Sequence, residues 1–319
     1  MIFDSECHIA GRHAPKVFTG PAFVPKRFDA EEMKGFPPGT EPEDNSAGLI
    51  RWMDRFGVGK SVVLRGLFRQ TNSVIIDAIE RFPDRLVGFA SYGLYPPDRT
   101  SPRQTQAALD ELERGIADGC RGVGELSLFD FGVRPEEVPL AMRPILELCA
   151  GQNLPVFIHT GCDLYTHFVD WIYPAREDRR RDTPPYQVRP APNALRNPAL
   201  VEDLALDFPT VPLLIAHMGK KDLTFFEAAL MVARRFANVY LTTSNTAPEF
   251  LERAVKEIGP ERILFGSDWK RTDPETPLDD PHSAHRLQLA LVTEARISDP
   301  AKELILGKNL ERLLEEVKP

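Results

Sequence analysis

Eight β-rich runs recur along the chain, and segments of helical period separate them. The runs are MIFDSECHI at the start, KSVVLRG at Lys60, LVGFASYGL at Leu86, RGVGELSL at Arg121, PVFIHTG at Pro155, PLLIAHMG at Pro212, VYLTTSN at Val239 and RILFGSDW at Arg262. Between them lie the helix candidates TQAALDELERGIADG, VPLAMRPILELCAGQN, LTFFEAALMVARRF and PEFLERAVKEIG, and DPAKELILGKNLERLLEEV follows the eighth run. Strands joined by helical crossovers run parallel, so this alternation predicts a parallel sheet covered by helices. Eight such units is the number that closes a (β/α)₈ TIM barrel, and the 319 residues suit one such domain, residues 1–319, with insertions. An open doubly wound sheet has the same periodicity, because periodicity alone does not show closure. Its Rossmann form is the weaker reading, since no GxGxxG follows the first strand.

A barrel gives meaning to the strand ends, because the carboxyl-terminal ends form one ring and the loops that follow build the site. Glu6 and His8 lie two apart on the first strand, so both side chains face one space while Cys7 faces away. The fourth strand ends in Glu125, the fifth in His159, the sixth in His217 and the eighth in Asp268. Taken singly, each has a plain explanation: a hydrogen-bonded core histidine, a helix N-cap at Asp268, an ion pair at Glu125. Taken together, three carboxylates and three imidazoles in one cavity are strongly unfavourable without a cation. A divalent metal resolves that conflict. Mixed nitrogen and oxygen ligands suit Zn²⁺, with Mn²⁺ or Fe²⁺ as alternatives, and the absence of a thiolate argues against a structural zinc. Such a site activates a bound water, whose pKa falls to about 7 on zinc.

Composition narrows the partners. The formal net charge is −8, with 47 acidic residues against 39 Lys and Arg, so no field that would draw nucleic acid or anionic lipid is expected. No apolar run approaches the roughly 18 to 20 residues that span a bilayer. The four cysteines show no CxxC pairing and no secretory signal opens the chain, which predicts a cytoplasmic protein. A small-molecule substrate is the expected partner, and a homodimer is the guess from general frequency alone. Two proline-rich segments, Ala10 to Glu43 and Cys162 to Pro198, follow the first and fifth strands and exceed ordinary βα loops. They read as a lid over the site or as a subunit contact. The DRRRD run at residues 178–182 reads as a solvated charge run.

The motifs Glu6-Cys7-His8, VFIHTG, LLIAHMG and LFGSDW, in this order, resemble the amidohydrolase superfamily, in particular the branch called amidohydrolase family 2. The resemblance implies a distorted (β/α)₈ barrel with a metal between Glu6, His8, His159 and Asp268. It implies that His217 either ligates the metal or orients substrate, and that Asp268 is the general acid/base that moves a proton from water to the leaving group. The commonest first-strand motif of the family is His-x-His, and Glu6 replaces its first histidine. A Glu-x-His pair resembles the family's non-oxidative decarboxylases of aromatic acids. GVGELSLFDF around Glu125 instead resembles the strand-four motif of TatD-type deoxyribonucleases, in which that glutamate ligates metal, and it leaves open a second ion. The acidic net charge gives a nuclease assignment no support. No lysine ends the fourth strand, so in a two-metal site Glu125 or a solvent hydroxide would form the bridge. One ion is expected and two are allowed.

The leading expectation is a metal-dependent hydrolase of an amide, lactone or related bond, with a metal-dependent decarboxylase as the alternative. A barrel that binds a ligand without catalysis is a third reading. Arg65, at the end of the second strand, suits a substrate carboxylate or a salt bridge to the acidic ring. His13 in the first long segment and Trp269 and Lys270 beside Asp268 are further candidate substrate contacts. His282 and His285, three apart, are expected on the surface near a helix start, and Cys120 and Cys149 in the core.

Overall fold

The computed structural model describes residues 1–9, 45–65, 72–92, 102–131, 133–161, 193–270 and 284–318. His13 and the segments 10–44 and 162–192, with the DRRRD run, lie outside the described residues, as does His282. Strands β1 (Ile2–Ile9), β2 (Val58–Arg65), β3 (Leu86–Gly88), β4 (Val123–Ser127), β5 (Val156–His159), β6 (Leu213–Ile215), β7 (Val239–Thr242) and β8 (Ile263–Leu264) arise from the eight apolar runs. The eighth run also supplies β9 (Trp269–Lys270). One sheet has the order β3-β2-β1-β9 and the other β4-β5-β6-β7-β8, with parallel pairing throughout.

Two seams close the sheets into a barrel. A parallel bridge joins Ala90 to Val123, between the chain after β3 and β4. At the other seam the Ser5 amide donates to the Phe265 carbonyl at 2.8 Å, while Cys7 and His8 pair with Trp269 and Lys270. The eighth run therefore breaks at Phe265–Asp268 so that one half can pair with β7 and the other with β1. That break places Asp268 at the barrel mouth. Closure excludes the open doubly wound sheet.

Helices α1 (Ser46–Phe56), α2 (Ser73–Arg81), α3 (Pro102–Ala117), α4 (Val138–Gln152), α5 (Val201–Asp207), α6 (Leu223–Arg235), α7 (Pro248–Ile258), α8 (Ala284–Thr293), α9 (Asp299–Glu303) and α10 (Asn309–Glu315) accompany the strands. Asp222 caps α6 by accepting from the Thr224 and Phe225 amides, and Pro248 opens α7 where no intrahelical donor is needed. Strand residues such as Val62, Val63 and Leu64 are buried consecutively, as parallel strands packed on both faces require. Among the described residues no helix is long and apolar enough to cross a membrane.

Two bulges aim the site. On β1, Asp4 pairs with Ser61 and Cys7 with Val63, so three steps of β1 match two of β2. The extra residue sends Asp4 to the side of Cys7, 3.3 Å from its Sγ, and leaves Glu6 and His8 together on the other. On β4, Val123 pairs with Val156 and Leu126 with Ile158, again with one residue extra, beside Glu125. Gly124 in that bulge has φ +129°, and a Cβ there would lie 2.5 Å from the Phe157 carbonyl oxygen. Gly124→Ala is therefore expected to destabilise by about 1–3 kcal/mol or more through overpacking and backbone strain. An unchanged denaturation midpoint would show that β4 does not need this shape.

Candidate metal centre and active site

The six residues meet at the barrel mouth, although Glu125 lies in the middle of β4 and does not end it. His8 Nδ1 lies 3.3 Å from the Arg65 carbonyl, which only accepts, so Nδ1 carries the proton and Nε2 turns its lone pair into the site. Nε2 stands 3.3 Å from Asp268 Oδ1, 3.5 Å from Glu125 Oε2 and 3.9 Å from Glu6 Oε1. His217 follows β6 in a tight turn with φ +63°, its amide donating to Thr242 Oγ1 at 3.0 Å. The Ser244 hydroxyl donates to Glu6 Oε2, so its oxygen accepts from His217 Nδ1, 2.8 Å away. His217 Nε2 is thereby left facing Glu125 Oε1 at 3.4 Å and Glu6 Oε1 at 3.8 Å.

Glu125 accepts from His159 Nδ1 at 2.7 Å, and the His159 and His217 rings meet edge to face with centroids 5.1 Å apart. Asp268 has a left-handed backbone, φ +52°, and its Oδ2 accepts from Asn245 Nδ2 at 2.7 Å. Asn245 itself sits at φ +55°. Ser244 and Asn245 were not singled out in the sequence, although both belong to the polar TTSN end of the seventh run.

Electrostatics reflect the crowding. Burial pushes the Glu6 carboxyl up, with His217 only partly opposing it. Burial acts on Glu125 in the same sense, but His159 and His217 overturn it and hold its carboxyl well below the usual range. Burial drives His159 down to about 4 against the pull of Glu125. Burial also lowers His217, and there Glu6 and Glu125 prevail and raise it. Burial thus favours the proton on Glu6 and the neighbouring acids favour it on His217, and a divalent cation bound between them would oppose both.

The donors fit such a cation. Glu6 Oε1 and His217 Nε2 are buried atoms with no hydrogen-bond partner among the described residues. Donor atoms of Glu6, His8 and Glu125, of Glu6, His217 and Asp268, and of Glu125, His159 and His217 each lie within 4.8 Å of one another. Imidazole and carboxylate donors are what zinc, manganese or ferrous iron accept.

The remaining candidates divide. Arg65 is half-buried and supports His8 through its carbonyl. Trp269 is 3% exposed and stacks on His285 at 6.5 Å, in the layer behind β1 that holds Cys7. Lys270 belongs to β9, with its side chain outside the described residues. The surface expectation for His285 is corrected: it is fully buried, with Nε2 3.1 Å from Asp4 Oδ2. The phase change at the β1 bulge turns Asp4 outward to meet it. Cys120 and Cys149 are buried core thiols, as expected.

The amidohydrolase family model matches residues 14–315, nearly the whole chain. The chain belongs to the amidohydrolase family. This amidohydrolase is 26% identical to the gamma-resorcylate decarboxylase of Rhizobium sp. (strain MTP-10005) over 231 residues, 63% of this chain and 64% of that protein. The match therefore spans just under two thirds of the curated relative's length. Among solved structures, the amidohydrolase resembles a TIM-barrel protein of Bordetella bronchiseptica with a TM-score of 0.64 and 18% identity, covering 99% of this chain and 98% of that one. It also resembles a probable 2-pyrone-4,6-dicarboxylic acid hydrolase of Acinetobacter baumannii, with a TM-score of 0.56 and 15% identity over 98% and 99% of the two chains. These structural likenesses establish the TIM-barrel fold of the amidohydrolase.

Proposed function

We propose that this amidohydrolase is a metal-dependent, non-oxidative decarboxylase of an aromatic or related carboxylic acid. The observation that carries the reading is Glu6, fully buried where the commoner motif has histidine, with Oε2 fixed by Ser244 and Oε1 turned toward His8 and His217. With Glu125 and Asp268 it makes three carboxylates around one cation. Each added carboxylate lowers the cation's effective charge and with it the acidity of a bound water, which favours a reaction without water attack. Similarity to a gamma-resorcylate decarboxylase supports the same reading.

Glu6, His8, His217 and Asp268, with Glu125 and His159 alongside, are the residues that would hold the cation. Bound there, it would supply a Lewis acid for the oxygens of the substrate. Asp268 is the proton donor. Asn245 engages Oδ2 and thereby turns Oδ1 toward the cavity beside His8. The proton passes from the Asp268 carboxyl to the ring carbon that bears the carboxylate. The carbon–carbon bond then breaks, its electron pair stays with the ring, carbon dioxide leaves, and solvent reprotonates Asp268.

Hydrolysis of an amide or lactone is the second reading, favoured by Glu125, which reaches His8, His159 and His217 and so provides for a second cation. Ring-hydroxylated benzoates labelled at the carboxyl, offered to zinc- or manganese-reconstituted protein, test the choice. Release of labelled carbon dioxide is expected. Turnover of lactones or amides with no carbon dioxide from any acid would overturn decarboxylation in favour of hydrolysis.

A further inference from the structure

Helix α8 lies outside the barrel, yet buries two polar side chains three residues apart on one face: His285, fully, and Gln288, 9% exposed. His285 Nε2 donates to Asp4 Oδ2 at 3.1 Å, and Asp4 Oδ1 accepts from the amides of Glu6 at 3.0 Å and Ser267 at 2.9 Å. Gln288 Oε1 accepts from the Asn245 amide at 3.1 Å, and Asn245 Nδ2 donates to Asp268 Oδ2 at 2.7 Å. Two hydrogen-bond relays leave one helix face. The first ends on the residue before Asp268 and on the backbone of Glu6, and the second ends on the Asp268 carboxylate.

We propose that His285 and Gln288 are positioning residues through which α8 sets Glu6 and Asp268 for metal binding. The inference rests on the reading of the cluster as a metal centre. Two facts make simple packing an insufficient account. First, Asp268 and Asn245 both adopt the left-handed region, which Asn and Asp enter more readily than other side chains and which here is held by hydrogen bonds to each residue. Second, His285 Nδ1 is buried with no hydrogen-bond partner among the described residues, while its ring lies between Phe56 at 6.3 Å and Trp269 at 6.5 Å. An apolar side chain would fill that slot without an unsatisfied nitrogen, so the bond to Asp4 is what the imidazole adds there.

The test is calorimetric titration of the metal-stripped protein with Zn²⁺ or Mn²⁺ alone, on wild type, His285→Leu, His285→Gln and Gln288→Met, with thermal melts to establish folding. His285→Leu and Gln288→Met are expected to weaken metal binding about 10–100-fold, the usual effect of losing an outer partner of a ligand. His285→Gln, whose amide can still donate to Asp4, is expected to recover most of that loss. If His285→Leu does not fold, Gln288→Met carries the test through the second relay. Folded His285→Leu and Gln288→Met that bind as tightly as wild type, or His285→Gln no better than His285→Leu, would overturn the inference while the metal centre stands. Wild-type protein that binds neither ion would remove the metal centre itself, and the inference with it.

Discussion

Asp268→Asn is expected to leave the protein folded and metal-loaded and to lower kcat by about 10²–10⁴-fold, the range of a lost general acid. The substitution preserves shape, and the Asn carbonyl oxygen can still accept from Asn245, which now meets Asp268 at 2.7 Å. What disappears is a carboxyl group able to hand over a proton. Because that proton moves only in the transition state, kcat and kcat/KM are expected to fall together, with the substrate anchored as before. Steady-state rates beside elemental analysis of the same sample check this. Turnover within about tenfold of wild type, with metal retained, would remove Asp268 from proton transfer.

The barrel is legible in the sequence because parallel strands buried on both faces must be apolar runs, and the residue that ends each run then stands out. Glu6, His8, Glu125, His159, His217 and Asp268 stand out for that reason, and the structure brings their side chains close to one another. The bulges were not readable, since a bulge exists only in a pairing register that one strand's sequence does not contain. From regular alternation Asp4 would share the face of Glu6 and His8, and the extra residue sends it to Cys7 and His285 instead. The His285 expectation failed for the same reason, because its buried partner belongs to a strand 281 residues away in sequence. Ser244 and Asn245 were visible as polar residues at a strand end, but their link to Glu6 and Asp268 depends on closure between β7, β8 and β1.

Glu6→Gln has the second large expected effect. The variant keeps the size of the side chain and an oxygen for Ser244, but removes the negative charge that the fully buried Glu6 can offer a cation. It also breaks the logic that fixes His217, since the Ser244 hydroxyl donates to a carboxylate that must be anionic for the cation to enter. Affinity for a divalent cation is expected to fall by more than the roughly 10–100-fold cost of losing an outer partner. Glu125→Gln is expected to do less, because its carboxylate is already engaged by His159.

Elemental analysis of protein purified without chelators or a polyhistidine tag, with both variants beside it, tests the metal centre most directly. The account predicts about one zinc, manganese or iron per chain in wild type, lost in Glu6→Gln and kept in Glu125→Gln. About two per chain, one of them lost in Glu125→Gln, would favour the hydrolytic reading. Wild-type protein with no metal, even after reconstitution, would contradict the account.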